Sequence, residues 1–149
     1  MKPFQAKEII IGKAEGLVHL SEEITQHFEL ETIDKFRHEF RIIRSFMTFV
    51  RLQRNDKNIK VPENCKYLYH LAGKIKEVAS EIEKEDASKD VQEAADALIA
   101  AKKDWKKNYS KNTFPRFTSK LLALDYSKLH PDLLDNFFNN IGKETMSNE

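Results

Sequence analysis

The chain holds one cysteine, Cys65, four glycines and four prolines in 149 residues. A single thiol excludes an intrachain disulfide, and such sparse cysteine usage leads to the expectation of a cytoplasmic location. So few glycines and prolines leave little punctuation, so long uninterrupted elements are expected. No apolar run approaches the roughly 20 residues a helix needs to cross a bilayer, so no membrane association is expected. The opening Met1-Lys2-Pro3-Phe4-Gln5-Ala6-Lys7-Glu8 is charged and has no apolar stretch of the kind a secretory leader carries. An excess of one charge sign is also missing, since 25 basic residues against 24 acidic ones give a net charge of +1. Binding of an anion must therefore be argued from where cations lie rather than from their sum. A nucleic-acid partner is not expected, because no basic face stands out in that balance.

Motifs that carry covalent chemistry are missing too. There is no GxxxxGK[ST] or GxGxxG phosphate loop and no HExxH. The five histidines, His19, His27, His38, His70 and His130, form no metal-binding spacing with Cys65. The acids of Glu22-Glu23 and of Glu81, Glu83, Glu85 and Asp86 lack the Glu-x-x-His pairing of di-iron bundles and read as solvated helix faces. A helix start lowers a thiol pKa, yet Cys65 has no nucleophile context beyond that position and reads as a buried, inert residue. No nucleophile–base pair can be named, so neither an enzyme nor a cofactor is expected.

What is abundant is helix-forming sequence. Residues 1–149 fit one domain, and a chain this long buries roughly 68–70% of its unfolded surface. Residues 4–29 place Ala6, Ile10, Leu17, Leu20, Ile24 and Phe28 at helical spacing. Gly12 and Gly16 suggest a kink there, and Ser21 before two glutamates is a candidate N-cap for a restart. Thr32 is read as the N-cap of a second helix of about 20 residues. Its apolar positions Ile33, Phe36, Phe40, Ile43, Met47 and Val50 step by three and four without a miss. Gln53 to Val61 reads as a loop, and Pro62 as the first turn of a third helix with core positions Leu68, Leu71, Ile75, Val78 and Ile82. Glu85 to Ser88 reads as a short connection, with Ser88 capping a fourth helix that buries Val91, Ala95, Leu98 and Trp105 and ends near Asn108 to Asn112. The lysines around Trp105 read as a solvated face. A fifth helix is expected from Thr113 through Leu124 with Phe117, Leu121 and Leu122 inward. Pro131 should open a last short helix carrying Leu133, Leu134, Phe137 and Phe138, stopped at Gly142 with a frayed tail from Lys143. Short connections between such helices imply antiparallel neighbours.

One constellation stands above this background. With successive side chains about 100° apart, Arg37, Arg41, Arg44 and Arg51 fall along one edge of the second helix's apolar stripe. Adjacent like charges cost about 0.2–0.5 kcal/mol per pair on an exposed helix. An anionic ligand would offset this, since guanidinium forks suit bidentate contact with phosphate or carboxylate. Internal pairing with Asp34, Glu39, Glu77 or Glu81 would offset it too. Lys66, Lys74 and Lys76 on the third helix, and Arg116 and Lys120 on the fifth, complete a basic groove if those helices pack alongside, and are otherwise a solvated face. His38 is placed opposite the arginines.

The run Ile33-Asp34-Lys35-Phe36-Arg37-His38-Glu39-Phe40-Arg41-Ile42-Ile43-Arg44 resembles the signature helix of the CHAD domain, the conserved-histidine α-helical domain. Arg37, Arg41, Ile43 and Arg44 fall on that helix's characteristic positions. Leu71-Ala72-Gly73-Lys74-Ile75-Lys76-Glu77 is similar to the family's Leu-Gly…Arg-Asp segment, and Phe114-Pro115-Arg116-Phe117 through Leu124 to its Pro-Arg-Tyr…Leu-Leu…Leu helix. The resemblance implies an all-α, antiparallel four-helix-type bundle with additional C-terminal helices. It also implies non-enzymatic binding of inorganic polyphosphate or a related phosphorylated polyanion. Arg37, Arg41 and Arg44 would be the main contacts, and Arg51, Lys74, Lys76 and Arg116 weaker ones. Asp34 stands where the family has its defining histidine, and there it could instead neutralise Arg37 or Lys35. The Arg-Asp pair becomes Lys76-Glu77. The family is usually about twice this length, in two halves, so formation of a homodimer would restore the full arrangement. The alternative is a degenerate CHAD-like structural or protein-interaction module without an anion ligand, favoured by Asp34, the near-zero net charge and the half length.

Overall fold

The computed structural model describes residues 1–84 and 90–147. Six helices carry the chain: α1 (Pro3–His27), α2 (Leu30–Arg54), α3 (Glu63–Lys84), α4 (Asp90–Asn108), α5 (Thr113–Leu122) and α6 (Pro131–Ser147). No strand occurs among the described residues, and the fold is an all-α helical bundle. No helix among them is long and apolar enough to cross a membrane.

The first helix runs through both glycines. A Cβ at Gly12 or Gly16 would meet nothing within 4 Å, so neither marks a crossing or a break. Each glycine costs about 1 kcal/mol relative to alanine. Complete burial of Ile10, Leu17 and Ile24 outweighs this. Ser21 does not restart the helix: it is buried, and its hydroxyl donates to the Val18 carbonyl at 2.9 Å within the same helix. The chain turns instead at Phe28, which adopts φ 51 and donates its N–H to the Ile24 carbonyl at 2.8 Å. With only Phe28 and Glu29 between them, α1 and α2 form a tight antiparallel pair. Glu29 is the N-cap of α2, and Thr32 sits buried in its first turn rather than capping it.

α2 is the central element. Ile33, Phe36, Phe40, Ile43, Met47 and Val50 are all buried, as their spacing predicts, and Phe46 is buried with them. Phe36 stands edge-on to Trp105 of α4 at 5.7 Å and to Phe114 of α5 at 5.4 Å. Phe46 meets Phe137 and Phe138 of α6. Aromatic pairs of this kind add about 0.5–1.5 kcal/mol each beyond the area they bury. Trp105 is fully buried and donates its indole N–H to the Thr25 hydroxyl at 2.8 Å, tying α4 to α1.

The flanking elements depart from the pattern in detail. Val91, Ala95 and Leu98 are half-buried, and Ala101 joins Trp105 in the core instead. Ile82, at the end of the α3 stripe, is half-buried as well. The Glu85-to-Ser88 connection lies outside the described residues. α5 stops at Leu122, which is exposed, because the residue one step beyond buried Leu121 is rotated about 100° towards solvent. Leu133 is likewise exposed and Leu134 buried. α6 passes through Gly142 to Ser147, so the tail is helical where fraying was expected. A glycine ends a helix by adopting a left-handed conformation, and no described glycine has positive φ.

α2 and α3 are antiparallel. Partners on the third helix step backwards as α2 advances: Asp34 meets Lys76, Arg37 meets Gly73, and Phe40 and Arg44 meet Tyr69. The groove between these two helices holds most of the arginine stripe.

A candidate anion-binding groove between α2 and α3

Tyr69 organises the groove. Its ring stacks on Phe40 with centroids 4.6 Å apart and planes inclined by 12°, so the core fixes its position. The guanidinium carbons of Arg37 and Arg44 lie 4.7 Å and 5.0 Å from the ring centroid. The two arginines are seven residues apart, nearly two full turns, so both reach the same tyrosine of α3. Each such contact contributes about 0.5–1 kcal/mol at a partly exposed site.

Gly73, one turn beyond Tyr69 on α3, makes room for Arg37. A Cβ built there would lie 2.9 Å from Arg37 Cζ and Nη2 and 3.2 Å from Nε. The Arg37 head therefore occupies a notch between a missing side chain and an aromatic ring. Its Nε is buried and has no hydrogen-bond partner.

Carboxylates pair with other cations and leave the arginines alone. Asp34 bonds Lys76 at 2.5 Å, Glu39 bonds Lys13 at 3.0 Å, Glu31 lies 3.5 Å from Lys35, and Glu63 lies 4.0 Å from Lys66. Among the described residues, no carboxylate oxygen comes within 4.0 Å of Arg37, Arg41, Arg44 or Arg51. The expectation that Asp34 neutralises Arg37 or Lys35 is thus corrected. Lys76, read from the sequence as a free contact, is engaged by Asp34.

The stripe divides among three hollows. Arg37 shares one of about 730 Å3 with His70, Lys74, Glu77 and Glu81. Arg44 and Arg51 share another of about 300 Å3 with Lys60, Lys66 and Glu63. Arg41 is rotated about 40° from Arg37 and 60° from Arg44. It faces a third, of about 480 Å3, with Asp34, Glu39 and Lys76. His38 lines that same hollow, so it lies beside Arg41 and not opposite the stripe. Arg116 is exposed on α5 and lines none of these three. Lys74 is exposed at the rim beside Arg37.

Sequence reasoning missed Tyr69, Gly73 and Lys60. A glycine in the middle of a strong helix is a signal for Gly73, since it weakens the helix without a local reason. Tyr69 and Lys60 carry no such signal, because their roles depend on what α2 brings to them.

Elsewhere the chemistry is quiet. Cys65 is buried, and that burial pushes its thiol up to about 12, against an opposing pull from Lys120. This fits an inert side chain. No group of three or more His, Cys, Asp or Glu residues able to hold a metal occurs among the described residues. No protein-family model, curated protein or solved structure matches the chain.

Proposed function

We propose that the α2–α3 groove binds a phosphate-rich polyanion, inorganic polyphosphate first among them, without catalysing a reaction on it. One observation carries this reading: four half-buried arginines on one helix leave their guanidinium groups free of every described carboxylate. Arg37, Arg41 and Arg44 repel one another at spacings of three and four residues. Acids on the same helix are spent on lysines. An anion in the groove supplies the missing counter-charge, and bidentate guanidinium contacts suit phosphate best. Tyr69 and the Gly73 notch hold Arg37 before any ligand arrives, so less side-chain entropy is lost on binding. The resemblance to CHAD domains, in which helices of this kind bind polyphosphate, supports the same ligand class, and the single cysteine supports a cytoplasmic setting.

The second reading, a structural or protein-interaction module without an anion ligand, draws on the Asp34–Lys76 pair. It puts a carboxylate beside the stripe where the resembled family carries histidine, and it removes one cation from the groove. Titration with polyphosphate at two salt concentrations separates the two. Wild-type chain should bind, and binding should weaken steeply with salt as counterions are released. The Arg44→Ala/Arg51→Ala variant should lose at least about tenfold in affinity, the equivalent of about 1.4 kcal/mol, with a shallower salt slope. No binding by the wild type, or an unchanged variant, rejects the polyanion reading.

A further inference from the structure

The three hollows along α2 are not equivalent, and the smallest has the most one-sided charge. Arg44 and Arg51 from α2, Lys60 from the connection and Lys66 from α3 surround it, and Glu63 is its sole acid. Glu63 lies 4.0 Å from Lys66, and both side chains are well exposed, so this pair is weak and leaves the local excess positive. The hollow beside Arg37 has Glu77 and Glu81 among its cations, and that beside Arg41 has Glu31, Asp34 and Glu39. Charge excess therefore peaks at one end of the groove.

α2 finishes at Arg54 and α3 begins at Glu63, so the connection between them crosses from one helix to the other at that end. Ile59, Lys60 and Val61 from that connection form part of the wall, with Ile59 and Val61 each 7% exposed and packed into the core. A chain lying along the groove meets these residues where α2 gives way to α3.

Resting on the polyanion reading above, we infer that this hollow is a receptor for the terminal phosphate of a linear chain. The groove then recognises a chain end and not merely a density of charge. The chemistry of the two kinds of phosphate supports the distinction. A terminal phosphate carries about two negative charges near neutral pH, with a second pKa of about 6, and three free oxygens. An internal phosphate is bridged on both sides and retains one ionisable oxygen. Two guanidinium forks and two ammonium groups in a hollow of about 300 Å3 match the more highly charged group.

Two ligands separate end recognition from charge density. Linear tripolyphosphate has two ends. Cyclic hexametaphosphate has more phosphates and a comparable or greater total charge, but no end. Each is titrated into the full chain by calorimetry at fixed salt. The linear compound should bind about tenfold or more tighter than the ring, the equivalent of one charge-assisted hydrogen bond. In the Lys60→Ala/Lys66→Ala variant this preference should vanish, while Arg37→Ala should weaken both ligands alike. Lys60 is exposed and Lys66 pairs only weakly, so the variant's fold should be intact. Equal binding of the two compounds, tighter binding of the ring, or a preference that survives in the lysine variant overturns the end-group assignment alone. Wild-type chain that binds neither compound overturns the polyanion reading and this inference together.

Discussion

Replacing Gly73 by alanine should raise the stability of the fold and lower its affinity for polyphosphate, and the structure sets both signs. Gly73 lies in the middle of α3, where alanine is favoured over glycine by about 1 kcal/mol. The added Cβ would fall 2.9 Å from Arg37 Cζ and Nη2, too close for any contact to persist. The obstructing atoms are the far end of a flexible side chain, so Arg37 can swing out without moving either backbone. Leaving the Tyr69 ring, now 4.7 Å away, costs about 0.5–1 kcal/mol. Exposing the unpartnered Nε to water returns up to about 1 kcal/mol. The balance is a gain of up to about 1.5 kcal/mol, or up to about 6 °C in Tm for a chain of this size. Affinity should fall severalfold, because Arg37 then has to be ordered at the moment of binding. Thermal unfolding and calorimetric titration of one preparation measure both. A variant destabilised by more than about 1 kcal/mol would mean the notch is rigid. One that binds as tightly as the wild type would mean the position of Arg37 is irrelevant. Either result refutes the argument.

Two further outcomes test the surroundings of the groove. Asp34→Asn should tighten polyphosphate binding severalfold, since it frees Lys76 and removes a negative charge beside Arg41. Stability should change by less than about 1 kcal/mol, because both partners are about half exposed; weaker binding in this variant would contradict the charge map. Alkaline titration tests the core. Burial pushes the Cys65 thiol from 9.0 up to about 12 and the Tyr126 hydroxyl from 10.0 up to about 12. The unfolded chain therefore loses these protons first, so stability is intact below about pH 9 and declines as pH rises towards 12. The slope should approach 1.4 kcal/mol per pH unit for each group once its unfolded form has ionised. Denaturant midpoints measured from pH 8 to 11 should fall, and less so in Cys65→Ala; a flat profile would show that neither group is held out of water.

The framework of helices was legible because burial follows the period of the helix. The six apolar positions from Ile33 to Val50 predict the buried face of α2, and all six are inside. Boundaries were less legible because they depend on tertiary context. Ser21 has the right chemistry for an N-cap, but Ile24 beyond it has to stay in register with Leu17 to remain buried, so the helix continues and Ser21 bonds within it. Thr32 is displaced from its capping role by Phe28, whose left-handed turn sets the start of α2 two residues earlier than Thr32. Leu122 fails for the opposite reason: two adjacent leucines cannot both face inward from one helix edge.

The candidate site divides in the same way. That α2 carries four arginines near one edge is a matter of counting residues. What each one meets is decided by α3. Asp34 and Arg37 are three residues apart and could pair along the helix. They do not, because Lys76 reaches Asp34 from across the groove while the Gly73 notch and the Tyr69 ring take up the Arg37 guanidinium. Glu39 is likewise engaged from α1, by Lys13. Asp34 and Glu39, the α2 acids within reach of an arginine along the helix, are each claimed by a lysine of a neighbouring helix. A chain with a net charge of +1 thus keeps a concentrated positive edge. Sequence composition averages over this arrangement, since pairing Asp34 and Glu39 with arginines instead of lysines would leave every count unchanged and tie up guanidinium groups that now stand free.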